Sequence, residues 1–330
     1  MRVAVLGAGA WGTALAVALA ARHETRLWVR DAQQLAQMQR DHVNQRYLRD
    51  IPLPENLRLV GEATTALSGC DVAILGVTVA GLRATLRIVA ASGEPGATIW
   101  LCKGFEAGTA HLPHQVAAEE LPAGISRGVL SGPSFAQEIA RGVPAAVTLA
   151  AAEPAFATTM ARELHSPRLR IYSSDDLTGV EVGGAVKNVI AIASGVSDGL
   201  GFGESARAAL ITRGLAEITR LGVKLGGRLE TFMGLAGLGD LVLTCTSSLS
   251  RNRQVGLRLA TGRPLAAILQ ELGHVAEGVH TAAEVLKLGQ RLGVDTPIVE
   301  AVCKMLHEGL APQAAVELLL ARDPKPEHRT

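Results

Sequence analysis

The sequence predicts an α/β protein, with a doubly wound, mainly parallel sheet over residues 1–178 and an all-helical domain over residues 179–322. Three observations predict it. Short apolar runs of strand type alternate with helical runs through the first half, as in a parallel sheet covered on both faces. After Leu177 the strand signals stop and only helical patterns follow. A glycine-rich turn begins at residue 7, between a buried-strand pattern and a helix. At 330 residues the chain also exceeds the usual size of one domain.

Taken in order, residues 3–6 read as a buried strand and 13–22 as a helix with small residues toward its packing side. Residues 25–30 form the next strand, and Asp31 can cap a polar helix running toward Asp41. A loop containing Pro52 and Pro54 follows. Further strands are expected at 57–60, 71–77, 97–102, 127–130, 145–149 and 169–172. In the second half, 182–196, 206–221, a segment from Leu241 onward, 265–272, 281–292 and 298–306 read as helices. The polar tail 323–330 contains proline and is expected to be disordered.

Composition narrows the function. Apolar residues make up 48% of the chain, enough for a sizeable core. The 32 Lys and Arg nearly cancel the 31 Asp and Glu, so nothing draws the chain as a whole to nucleic acid or an anionic membrane. With 3% aromatic residues a base-stacking platform is not expected either, and any anion site must be local. Cys70, Cys102, Cys245 and Cys303 are scattered, with no C-x-x-C and no His at metal spacing. Reduced thiols in a cytoplasmic enzyme, with no metal, fit this pattern best. Residues 3–21 carry no charge and follow Arg2, which resembles a signal peptide, but Gly7, Gly9 and Gly12 interrupt the run at a defined spacing. No other segment reads as a membrane span.

Gly7-Ala-Gly-Ala-Trp-Gly12 is a G-x-G-x-x-G motif placed after a strand and opening a helix, the fingerprint of a Rossmann-type dinucleotide site. Its glycines supply a tight turn, room for a diphosphate and close helix–strand packing, while free N–H groups and the helix dipole hold the anion. The second strand ends in Arg30 and is followed by Asp31. An Arg there accommodates the 2′-phosphate of NADP and an acidic residue the ribose of NAD, so NADP is favoured with NAD tolerated. Alternatively, Arg30 is simply solvated and Asp31 only a cap.

Four groups of residues look chemical. Lys103 ends a strand, where the carboxyl edge of such sheets faces the ligand crevice. Lys187 and Asn188 interrupt an otherwise apolar helix, where burial is costly unless they are paired and would lower the lysine pKa toward proton transfer. Gly183 and Gly184 beside them allow another backbone to come close. Asp240 and Thr244, four apart, share a helical face, although Asp240 alone reads as an N-cap. Ser250-Arg-Asn252 offers a guanidinium suited to phosphate, although alone it reads as a polar surface turn.

With these segments assembled, the chain resembles the bacterial NAD(P)-dependent glycerol-3-phosphate dehydrogenases over nearly its whole length. The resemblance rests on residues 7–16, Lys103-Gly-Phe-Glu106, Gly132-Pro-Ser-Phe-Ala-Gln-Glu138, Gly183-Gly-Ala-Val-Lys-Asn-Val-Ile190, residues 209–215, residues 234–246, Ser250-Arg-Asn252 and Ala276-Glu-Gly278. It implies reversible hydride transfer between NADPH or NADH and dihydroxyacetone phosphate, giving sn-glycerol 3-phosphate for glycerophospholipid synthesis. It also implies Lys187 as general acid/base, with Asn188, Asp240 and Thr244 lining the reaction site. Lys103, Arg251 and Asn252 match substrate contacts, with Gly132, Ser134 and Ser250 beside them. Trp11, Arg30, Lys103, Ala136, Arg251, Val275 and Glu277 match cofactor contacts. Ala10 and Phe105 depart from the family's more usual Ser and aliphatic residue. A homodimer is an open expectation. The rival expectations are a reductase of a 3-hydroxy acid or ketopantoate and a non-catalytic NADPH sensor, and Lys187-Asn188 argues against the sensor.

Overall fold

The computed structural model describes residues 1–273 and 276–322. Its strands are β1 (Arg2–Leu6), β2 (Glu24–Trp28), β3 (Val43–Asn44), β4 (Leu48–Pro52), β5 (Arg58–Val60), β6 (Val72–Leu75), β7 (Ala97–Trp100), β8 (Ser126–Ser131), β9 (Ala145–Ala151) and β10 (Leu169–Ser174). Eight of them form one sheet in the order β10-β9-β8-β7-β6-β1-β2-β5. Neighbours are parallel except β8 and β9, which run antiparallel. The chain winds outward from β1 to β2 and β5, then crosses to β6 on the other side of β1. That reversal opens a crevice at the carboxyl ends of β1 and β6, where such sheets bind ligands.

Side chains alternate across the sheet as a period of two requires. Val3 and Val5 enter a core on one face, shared with the helix Ala10–Ala20 and with Ala157 and Ala161. Ala4 and Leu6 enter the core on the opposite face, shared with Leu82, Leu86, Val89 and Val116.

Several expectations are amended. β2, β6 and β7 end at Trp28, Leu75 and Trp100, short of Arg30, Val77 and Cys102. One more inter-strand bond follows each, from Val29 N to Val60 O, Gly76 N to Leu6 O and Leu101 N to Leu75 O, before the chain leaves the sheet. The stretch expected as a loop around Pro52 contains the antiparallel pair β3–β4, with a register shift at Val43 and Asn44. Pro52 is tolerated there because an edge position needs no N–H.

After Ser174 the described residues contain helices only. The longest, Leu177–Gly199, is capped by the Asp176 carboxylate accepting from Gly179 N. It is long and apolar enough to cross a membrane, which the sequence reading overlooked, but its most apolar window is wholly buried inside the protein. Around this central helix pack Gly203–Lys224, Asp240–Thr246, Arg251–Leu259 and Glu277–Leu292. Val186, Val189, Ile190 and Ile192 are almost fully enclosed, each worth about 1.5–3 kcal/mol of burial. That enclosure is what makes the ammonium at Lys187 unusual. The tail 323–330 and Val275 lie outside the described residues.

Candidate active site

The glycine-rich loop leaves β1 and enters Ala10–Ala20 without a side-chain cap or an acidic residue in the first turn. Gly7 has φ +114°, and a Cβ on Gly12 would lie 2.0 Å from Gly7 O. Gly76, just past β6, closes the other side, since a Cβ there would come 2.7 Å from Gly12 Cα. The sequence reading placed Gly76 inside a strand and missed this contact. Gly9, by contrast, is uncrowded: an added Cβ would meet only Gly76 O, at 3.8 Å. An uncapped helix N-terminus beneath an uncrowded glycine is a cradle that fits a dinucleotide diphosphate. Trp11 is half-buried against the core beneath the loop, and Ala136 packs on the same core. Arg30 is exposed just beyond β2, two places along the sheet from β6.

The central helix brings a second group together. A Cβ on Gly183 would lie 2.7 Å from Ala236 O. Ala236 belongs to a π-helical turn, Leu235–Gly239, that leads into Asp240–Thr246. Lys187 is one turn beyond Gly183 and Asp240 one turn beyond Ala236, so the close backbone contact sets the two charged residues face to face. Gly184 does the same for the sheet, although it is side chains that approach: Ser131 Oγ and the Lys103 stem would lie 2.9 and 3.5 Å from its Cβ.

Asp240 does not cap its helix. One carboxylate oxygen accepts from Lys187 Nζ and the other from Lys103 Nζ at 2.7 Å. Lys187 also donates to Thr244 Oγ1 at 3.0 Å, and the Thr244 hydroxyl in turn donates a hydrogen bond to the Asp240 backbone carbonyl. Lys103 reaches Gly132 O at 3.3 Å, which also accepts from Ser134 Oγ. Asp240 is 1% exposed and Lys187 5%. Burial pulls the Lys187 pKa down to about 8, with Lys103 adding to the fall and Asp240 opposing it.

The remaining candidates divide. Asn188 turns from the lysines: its Oδ1 accepts from Asn252 Nδ2 at 2.9 Å, and Asn252 Oδ1 accepts from Gly278 N at 3.0 Å. Both amides are buried and committed to joining three helices. Ser250 to Asn252 is no surface turn, because Ser250 Oγ caps Arg251–Leu259 by accepting from Arg253 N. Arg251 is exposed, with Glu277 and Tyr47 acting on it electrostatically. Glu277 opens Glu277–Leu292, and burial raises its pKa to about 7 against the pull of Lys103, Lys187 and Arg251. Glu277 thus lies within electrostatic reach of both lysines and of Arg251.

The sequence reading also missed Glu181. Buried on the central helix, it accepts from Trp100 Nε1 at 2.8 Å and from His114 N at 3.0 Å, and lies 2.5 Å from His114 Nδ1. It ties β7, which delivers Lys103, to the helix that delivers Lys187. A charged residue in an apolar helix was the available signal, the same one that marked Lys187.

Residues 2–157 match the NAD-dependent glycerol-3-phosphate dehydrogenase N-terminus and residues 176–317 the corresponding C-terminus. The chain is 59% identical to a glycerol-3-phosphate dehydrogenase (NAD(P)+) of Nitrosospira multiformis, covering 99% of each chain. It is 57% identical to one of Aromatoleum aromaticum, over 99% of this chain and 100% of that one. Its fold is similar to the crystal structure of glycerol-3-phosphate dehydrogenase from Coxiella burnetii, with TM-score 0.92 and 42% identity over 97% of this chain and 98% of that one. The chain belongs to the NAD-dependent glycerol-3-phosphate dehydrogenase family.

Proposed function

We propose that the chain interconverts dihydroxyacetone phosphate and sn-glycerol 3-phosphate with NADPH or NADH, using Lys187 as the general acid/base. The observation that carries this assignment is a buried ammonium, held by Asp240 and Thr244 beside Lys103, at the carboxyl edge of the sheet. Gly7, Gly9 and Gly12 would hold the cofactor diphosphate, Trp11 and Ala136 would flank it, and Arg30 would meet a 2′-phosphate. Glu277 and Val275 complete the cofactor contacts in this reading. When bound, the reduced nicotinamide supplies the hydride.

The protein's own groups do the rest. Lys187 gives its proton to the ketone oxygen as negative charge develops there, and solvent later restores it. In the reverse direction the neutral amine takes the hydroxyl proton. Lys103 adds positive charge near the same oxygen, and Asp240 orients both ammonium groups. Arg251 pairs with the substrate phosphate, with Ser134 and the Gly132 backbone beside it. Binding the phosphate orients the ketone for transfer. Asn188, Asn252 and Ser250 act through position, since their polar atoms are held by neighbours.

The proposal divides the chain into a cofactor half, 1–178, and a substrate half, 179–322, and includes the expected homodimer. A cytoplasmic setting suits the buried, unpaired Cys70, Cys102, Cys245 and Cys303. The experiment is oxidation of NADPH and NADH by the purified protein with dihydroxyacetone phosphate, and with ketopantoate in parallel; reduction of NADP+ is followed with 3-hydroxy acids. Turnover confined to the phosphorylated ketone is expected. Preference for a carboxylic acid substrate contradicts the assignment.

A further inference from the structure

We propose that Asn44, on the β3–β4 hairpin, is a positioning residue of the cofactor site, holding the glycine-rich loop in the shape that presents its N–H groups to the diphosphate. The inference rests on the dinucleotide reading of that loop. Asn44 is fully buried and spends its whole side chain on the loop and the next helix. Its Nδ2 donates to Ala8 O at 3.0 Å and to Thr13 Oγ1 at 2.9 Å, and its Oδ1 takes a 3.3 Å bond from Gln34 Nε2. Gln34 Nε2 also donates to Ala8 O, at 2.9 Å. Ala8 is the residue between the first two glycines of the motif.

The arrangement has a physical logic. A glycine-rich loop is conformationally permissive, and holding it in one form without help costs entropy. Two amides fixing the Ala8 carbonyl on the inner side leave the opposite side of the loop, with its N–H groups, for an anion. Thr13 lies one residue past Gly12, so the same amide grips both ends of the cradle. If the site served only to hold the hairpin down, an apolar side chain would do so without burying an amide that needs three partners. Asn44 also sits where β3 shifts register, a local irregularity of the kind that re-aims a side chain.

The test uses Asn44→Ala and the milder Gln34→Met, which keeps length on a half-buried side chain and removes one of the two donors to Ala8. Dissociation constants for NADPH and NADH are measured directly by fluorescence titration, alongside melting temperature and steady-state kinetics. Asn44→Ala should raise both cofactor dissociation constants by roughly tenfold, the effect of one lost buried hydrogen bond of ordinary strength. Gln34→Met should raise both by a smaller factor. The KM for dihydroxyacetone phosphate and kcat at saturating cofactor should change little. A lower melting temperature with unchanged cofactor affinity in a folded Asn44→Ala protein overturns the proposal. If that variant does not fold, unchanged affinity in Gln34→Met overturns it equally. Failure of the unaltered protein to bind either cofactor would instead overturn the dinucleotide reading.

Discussion

Lys103 and Lys187 hold the two oxygens of one carboxylate, that of Asp240, from opposite halves of the chain. One ammonium comes from the carboxyl end of the sheet and the other from the middle of the central helix. The shared anion keeps two like charges together in a buried place, and it opposes the fall in the Lys187 pKa that burial causes. Replacing it by an amide should therefore lower that pKa further. The acid form of Lys187 is required for ketone reduction and is lost as pH rises through about 8. In Asp240→Asn the alkaline limb of kcat/KM for reduction should move to lower pH by about 1–3 pH units, and the rising limb for alcohol oxidation should move with it. Profiles with unmoved limbs would mean that Asp240 does not set the lysine's charge.

Arg30→Ala should weaken NADPH far more than NADH. Arg30 stands exposed beyond the end of β2, where a 2′-phosphate would lie, with Asp31 next to it already engaged in capping Ala32–Asp41. Paired dissociation constants decide the matter, and equal weakening of both cofactors would remove Arg30 as the reader of the 2′-phosphate.

Arg251→Ala should chiefly damage use of the phosphorylated substrate. A guanidinium–phosphate bond contributes roughly 1.5–3 kcal/mol, so kcat/KM for dihydroxyacetone phosphate should drop at least about tenfold. Unphosphorylated dihydroxyacetone at high concentration is the control. Equal losses on both ketones would place Arg251 on the cofactor or in folding instead. Some loss of NADPH affinity is expected, because Glu277 lies near the same guanidinium.

Glu217 predicts a pH effect on stability rather than on activity. Its carboxylate is buried and accepts from Ile298 N and Val299 N at the start of Pro297–His307. Burial raises its pKa to about 7. A raised pKa means that the folded state binds more protons, so this stability is present below the ordinary carboxylate range and is lost as pH rises through about 7. Glu217→Gln should accordingly gain stability relative to the parent protein between about pH 4.5 and 7.5, by an amount on the order of 1–3 kcal/mol. Parallel denaturant curves that keep a constant gap across that range would contradict it.

The features legible in the sequence were those that stand out against a uniform background. The sheet strands were readable because runs such as 3–6 and 72–75 are apolar on both faces. Lys187 was readable because a charge near the middle of a long, mostly apolar helix stands out. The β3–β4 hairpin was not, because it is short, irregular and polar at Arg49 and Asp50, and Pro52 argues against a strand. The helix Arg251–Leu259 was hidden by its polar start, although Ser250 as a cap and Val255, Gly256 and Leu259 as an inner face were there to be read. Asn188 stood out as a buried polar residue in an apolar helix, whereas Asn252 read as part of a polar turn and its burial was not legible; spacing along a helix does not say which side chain will meet another from a different one. Their bonds to each other depend on how the helices cross, and only the assembled structure shows that.

The most direct measurement is the turnover of Lys187→Ala with NADPH and dihydroxyacetone phosphate, read beside its NADPH affinity and melting temperature. Loss of a general acid typically costs about 100- to 10,000-fold, so kcat should fall within that range while the protein stays folded and still binds NADPH. Turnover within a few-fold of the parent protein, in a folded variant, would contradict the assignment of proton transfer to Lys187.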